Sequence, residues 1–293
     1  MSELLLSKTT NQQLKALLSK PPHAILVSGE EGSGKLTIGM HLSASLLGIT
    51  ENKLQNYPYF LKVERSKDKQ EISIDQIRSV IKHLKLKPVT KDQPIKRVIF
   101  INESHLLSAE AQNALLKAIE EPPAATVFIL SATSENAVLP TIASRTQKLL
   151  IGTISLEEAI NFFKDNYDNK TITSAWQLSG GAVGLLTALL LEDKQHSLKK
   201  AVEDAKNIIT LNKYERAMAL DSLSSNKAEF ARILDALGRV ISALHHSAVV
   251  AANDKSAAKF LIARKQIQQA LDCLEKNVSA KLIALDLALQ LPF

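Results

Sequence analysis

Over the first 151 residues, short apolar runs alternate with stretches of helical spacing. HAILVS (23–28), YFLKVE (59–64), RVIFI (97–101), TVFILS (126–131) and QKLLI (147–151) predict five strands. Between them, residues 34–47 carry Leu36, Met40, Leu42, Leu46 and Leu47 at helical spacing. Residues 73–88 place Ile74, Ile77, Ile81 and Leu84 on one face, with Pro88 as the stop, and 108–120 follow Ser108 as N-cap. A short helix over 10–19 ends at Pro21 and Pro22. Nearly all-apolar strands alternating with helices predict an α/β domain, a parallel sheet covered on both faces. After residue 151 no strong strand pattern recurs. A capping-box pattern, Ser155 to Glu158, opens a helix, and two helices break at Gly180–Gly181. Long helices fill the chain from about 195 to 293, with Phe230, Ile233, Leu234, Leu237, Ile241 and Leu244 as an apolar stripe. That stripe serves either an internal core or a collar built with other subunits.

Between the first strand and the next helix stands GEEGSGK (29–35). Gly29, Gly32 and Gly34 let the backbone turn its N–H groups toward a phosphate. Ser33 lies among them, Lys35 adds charge, and the helix N-terminus adds its dipole. Two positions depart from a hydrolytic loop. Leu36 stands where a hydroxyl would coordinate magnesium, and Thr37 lies one residue on, about 100° around the helix. In RVIFINESH, Asn102 stands where an acid would hold the metal, while Glu103, at the position of a base orienting the attacking water, is retained. Asparagine brings no negative charge to a cation. Both departures weaken metal binding, so hydrolysis is expected to be weak or absent.

NALLKAIEEPP (113–123) and TVFILSATSENAVLPTIASRTQ (126–147), after GEEGSGK, IDQIR and VIFINESH in that order, resemble the clamp-loader ATPases of bacterial DNA polymerase III. The likeness is strong to about residue 150, moderate over 152–192, and one of length and helical character beyond. It implies an AAA+ domain over 1–151, a helical lid over 152–193 and a helical collar over 194–293. It also implies that Arg145, in Ser144-Arg145-Thr146, reaches into a neighbouring subunit's ATP site, and it makes Thr133 the sensor position, with Ser131 close by. Leu36 and Asn102 suit the delta prime subunit better than the gamma or tau motor, as does the absence of an arginine around Leu185. The implied role is a largely non-hydrolysing stator. Its implied partners are gamma/tau and delta subunits, the sliding clamp and, through the assembly, primer–template DNA. ATP is the cofactor the loop implies, with its binding left open. The family's four-cysteine zinc module has no counterpart in 49–72, so zinc is not expected. An active gamma-like motor using Thr37 and Glu103, or an unrelated remodelling ATPase, are the rival readings.

Composition adds little to this. The net charge of +6 and pI of about 9.2 suit a polyanion but equally a solvated surface. Lysines cluster in RSKDKQE (65–71) and HLKLKPVTKDQPIKR (83–97). Aromatics at 4% argue against single-strand stacking platforms. A single cysteine, Cys273, excludes an intrachain disulfide and points to a reducing, cytoplasmic compartment. The N-terminal run is short for a signal peptide, and no stretch reads as a membrane span. His23, His105 and the His245–His246 pair read as structural, and no metal site is assigned.

Overall fold

The three inner strands of the sheet form where the chain is most continuously apolar. β1 (Ala24–Ser28), β3 (Arg97–Ile101) and β4 (Thr126–Ala132) are buried at every position. β2 (Phe60–Val63) and β5 (Gln147–Leu150) admit exposed residues and lie at the edges. The order is β2-β3-β4-β1-β5, and every pairing is parallel. The structure is a computed structural model describing residues 4–66, 69, 71–86, 94–191 and 197–293. The chain divides into two compact units, Met1–Ser155 and Leu156–Phe293.

Strand side chains alternate between the two faces of the sheet, which splits the first unit's core in two. Ala24, Leu26, Ile99, Ile101, Phe128 and Leu130 face α4 (Ile74–Leu84), α5 (Ala109–Glu120) and α6 (Pro140–Ala143). Ile25, Val27, Val98, Phe100, Val127 and Ile129 face α1 (Lys8–Ser19), α2 (Lys35–Leu47) and α3 (Glu51–Leu54). Gly39 lets α2 approach the sheet closely, because a Cβ there would stand 2.3 Å from the Phe100 ring. α4 ends at Leu84, earlier than its pattern predicts; Pro88 and much of the lysine-rich 83–97 segment lie outside the described residues, as do 67, 68 and 70 of RSKDKQE. Arg97, the polar residue of RVIFI, is buried at the start of β3. Its guanidinium donates to the carbonyls of Leu84 (2.9 Å) and Leu86 at the end of α4, where unpaired carbonyls favour a cation. Burial pulls its pKa down, opposed by Tyr59.

The second unit is helical throughout its described residues. It contains α7 (Leu156–Phe163), α8 (Asn169–Ser179), α9 (Val183–Leu190), α10 (Ser197–Thr210), α11 (Lys213–Leu223), α12 (Lys227–Val250), α13 (Asp254–Glu275) and α14 (Ala280–Gln290). Gly180, left-handed at φ 61°, ends α8. Arg239 of α12 donates to the Ser179 carbonyl at 2.9 Å, so the helices expected to form a lid pack on the long helix expected to form a collar. Phe230, Ile233, Leu234, Leu237 and Ile241 are buried in this unit's own core, while Leu244 is partly exposed. The stripe is therefore internal from Phe230 to Ile241 and open at Leu244. α12 is also long and apolar enough to cross a membrane, contrary to the expectation that no stretch is. Its buried residues from Phe230 to Ile241 belong to the core just described, and Arg232, Asp235 and Arg239 interrupt it. Arg216 of α11, fully buried, donates to the Leu211 carbonyl at 2.8 Å and also to that of Phe293, whose ring lies 5.1 Å away.

Candidate nucleotide site and outward arginine

Because all five strands are parallel, their carboxyl ends share one edge, where α/β sheets bind ligands. The loop after β1 lies there. Its Gly32 and Gly34 take left-handed backbone, φ 82° and 92°, which a side chain would strain. Gly29 is required by space instead: a Cβ would stand 2.8 Å from Ser33 Oγ and 3.1 Å from Ile151 Cβ. The Gly29 amide donates to the Ala132 carbonyl at 3.3 Å, tying the loop to β4. The amides of Gly32 and Gly34 take no backbone carbonyl among the described residues. Ser33 Oγ is buried without a hydrogen-bond partner.

Lys35 folds back over the loop, and its ammonium donates to the carbonyls of Gly29 and Glu30, both at 2.7 Å. Burial lowers its pKa, while Glu31, Glu103 and Glu30 oppose that shift. Glu103 follows β3 in a left-handed conformation, φ 54°, uncommon for a side-chain-bearing residue. Ser131 of β4 fixes this turn. Its hydroxyl accepts the Glu103 amide at 2.9 Å and donates to Asn102 Oδ1 at 2.8 Å, while Ser104 Oγ donates to the Ser131 carbonyl at 2.9 Å.

His105 joins this group electrostatically. Burial lowers its pKa first of all, Glu103 opposes, and the Lys35 charge lowers it further. Its Nδ1 is buried without a hydrogen-bond partner. Its neighbours Glu103 and Lys35 are not apparent from a sequence that marks His105 as structural. The only signal was its place two residues beyond Glu103. Leu36, by contrast, turns its apolar side chain to solvent at 42% exposure, and Thr37 is exposed beside it. Thr133 is exposed past the end of β4; the contact with Asn102 is made by Ser131.

The residues present fit a phosphate and not a divalent cation. The loop offers two glycine amides, a buried hydroxyl and one remaining Lys35 donor. At the two positions that would hold a metal stand an alkyl side chain and an amide whose oxygen is already engaged.

Arg145 follows α6 and is exposed. Its Nε pairs with Glu120 Oε1 at 2.8 Å, and its Nη1 donates to the Thr141 carbonyl at 3.0 Å and Ser144 Oγ at 3.3 Å. Thr146, buried at the third position of the motif, donates to the Ala143 carbonyl at 3.1 Å.

The family described as DNA polymerase III, delta subunit, matches residues 6–155. The chain belongs to this clamp-loader family. The match ends where the sheet-bearing unit ends. Over 212 residues the chain is 29% identical to the DNA polymerase III subunit gamma of Buchnera aphidicola subsp. Schizaphis graminum, covering 66% of this chain and 55% of that one. Over 155 residues it is 34% identical to the replication factor C small subunit of Methanococcus maripaludis strain C5, covering 52% and 45%. The chain thus spans about half the length of the curated relatives it matches. Among solved structures, a gamma subunit-related protein of DNA polymerase III from Thermotoga maritima aligns over 96% of this chain and 98% of its own, at 19% identity and a TM-score of 0.48. Within this clamp-loader chain, the parallel sheet carrying a phosphate-type loop is the expected AAA+ arrangement, followed by a helical region.

Proposed function

We propose that this clamp-loader chain is a subunit of the delta prime type. It holds its place in a ring with gamma/tau and delta subunits, lends Arg145 to a neighbouring subunit's nucleotide, and does not itself drive hydrolysis. Through that assembly it serves the placing of a sliding clamp on primed DNA. In this reading 152–193 works as the lid and 194–293 as the collar.

The observation that carries the proposal is the pairing of Leu36 and Asn102. Magnesium supplies the positive charge that phosphoryl transfer needs between the outer phosphates. Gly32, Gly34, Ser33 and Lys35 would cradle the phosphates, and neither Leu36 nor Asn102 would anchor the ion. A cradled nucleotide would then be a structural ligand. A gamma-like motor is the second reading, favoured by Glu103 standing within electrostatic reach of Lys35 and by the gamma subunits among the relatives.

Calorimetry with ATP, in magnesium and in EDTA, and steady-state ATPase measurements with primed DNA separate the two. The delta prime reading expects any binding to be insensitive to magnesium and turnover to stay at background. Robust turnover by the purified chain, abolished by Lys35→Ala, would transfer the assignment to the motor class.

A further inference from the structure

The EEPP of residues 120–123 is left unexplained by the nucleotide pocket. α5 ends at Glu120, and Glu121 leaves helical geometry at φ −122°, ψ 69°, as expected of a residue before proline. This stop fixes the Glu120 carboxylate at the C-terminal end of a helix, where the dipole disfavours negative charge. The helix gains nothing from an acid there. What the acid does have is Arg145, at 2.8 Å from Nε.

A donor count of the guanidinium shows the consequence. Arginine carries five N–H groups: one on Nε and two on each Nη. The Glu120 carboxylate lies against the first as an ion pair, and Thr141 and Ser144 accept from Nη1. Among the described residues Nη2 has no hydrogen-bond partner. Below, the Arg145 amide donates to the Ile142 carbonyl at 3.1 Å, and Ile142 and Ala143 are buried. The group is thus clamped along one edge on a packed base, with one nitrogen left for an oxygen outside the chain.

We infer that Glu120 is the positioning residue for Arg145, holding its guanidinium so that Nη2 meets a phosphate oxygen presented by the neighbouring subunit. This rests on the proposed role of Arg145 in that neighbour's site. Glu120 touches no substrate itself. Its effect is to keep a long, rotamer-rich side chain in the one pose that serves transfer. Both partners are substantially exposed, so the pair contributes little to folding stability.

The test uses the full chain reconstituted with its cognate loader subunits. Glu120→Ala is expected to lower the kcat of clamp-dependent ATP hydrolysis about tenfold. KM for ATP, complex assembly and the thermal midpoint should stay as in the parent. Glu120→Gln, which keeps an oxygen beside Nε without the charge, should recover part of the rate. In the isolated chain, the Arg145 Nε–Hε proton should exchange faster in Glu120→Ala than in the parent, which reports that the contact is formed, while the loss of kcat at unchanged KM and thermal midpoint separates positioning from a merely structural role. If Arg145→Ala slows hydrolysis while Glu120→Ala leaves kcat and exchange unaltered, or raises kcat, the positioning role is overturned and the arginine's role stands. If Arg145→Ala is without effect, the trans role fails and takes the positioning role with it.

Discussion

Lys35 and Arg145 are two cations of one unit, and they are kept in opposite ways. Lys35 is half-buried, turned back on two carbonyls of its own loop, its charge made costly by burial. Around it stand Leu36 and an Asn102 whose oxygen is already bonded. Arg145 is exposed, braced along one edge by Glu120, Thr141 and Ser144, with donors to spare. In the delta prime reading, the inward site keeps the form of a phosphate loop with altered metal positions. The outward one keeps a complete set of supports. In a chain acting as a stator, catalytic value would lie in what it presents to a neighbour.

The sharpest break of this contrast removes each cation in turn within the assembled loader. Arg145→Ala is expected to lower hydrolysis at the adjoining site by about 10³-fold, the scale of a lost arginine finger. Lys35→Ala should leave the loader's kcat within about twofold, since a pocket without metal ligands contributes no transition state of its own. Equal losses from the two changes would erase the distinction. An intermediate effect is expected from Leu36→Thr combined with Asn102→Asp, which restores both oxygen donors. Magnesium should then tighten ATP binding about tenfold, near 1.4 kcal/mol, in calorimetry of the isolated chain. The parent should show no such gain.

The smallest effect concerns His105. Its pKa in the folded chain lies below the ordinary 6.5, chiefly through burial. As pH falls through 6.5 the unfolded chain takes up the proton first, so protons favour unfolding and stability declines. His105→Gln should flatten the fall in thermal midpoint below pH 6.5 while leaving the midpoint at pH 8 nearly unaltered. A parent whose midpoint does not fall across that range would remove His105 from the buried cluster.

The sheet was legible because its inner strands are apolar at nearly every position, which only burial on both faces explains. The glycine loop was legible because strand, loop and helix follow in the right order. α3 (Glu51–Leu54) was not, since four residues carry no period. The contacts that organise the site were also invisible. Ser131 and Asn102 lie 29 residues apart and meet only because β3 and β4 are neighbours in the sheet. Glu120 and Arg145 meet because α5 and α6 pack on one face of it. Arg97 and Arg216, buried cations whose Nη groups reach helix-end and tail carbonyls while each Nε stays unpartnered, have the spacing of ordinary surface residues.

The seat of Gly39 on Phe100 bears on why a loop with altered metal positions would be retained at all. That contact joins the helix launched by Lys35 to the strand that delivers Asn102. The side chain at 36 is exposed and supports no layer beneath, so it can be exchanged without disturbing that contact. Even a methyl at 39 would drive helix and strand apart, at a cost of about 1–3 kcal/mol. In the delta prime reading, the motif would thus persist as architecture, a keystone kept for the arch and not for the doorway.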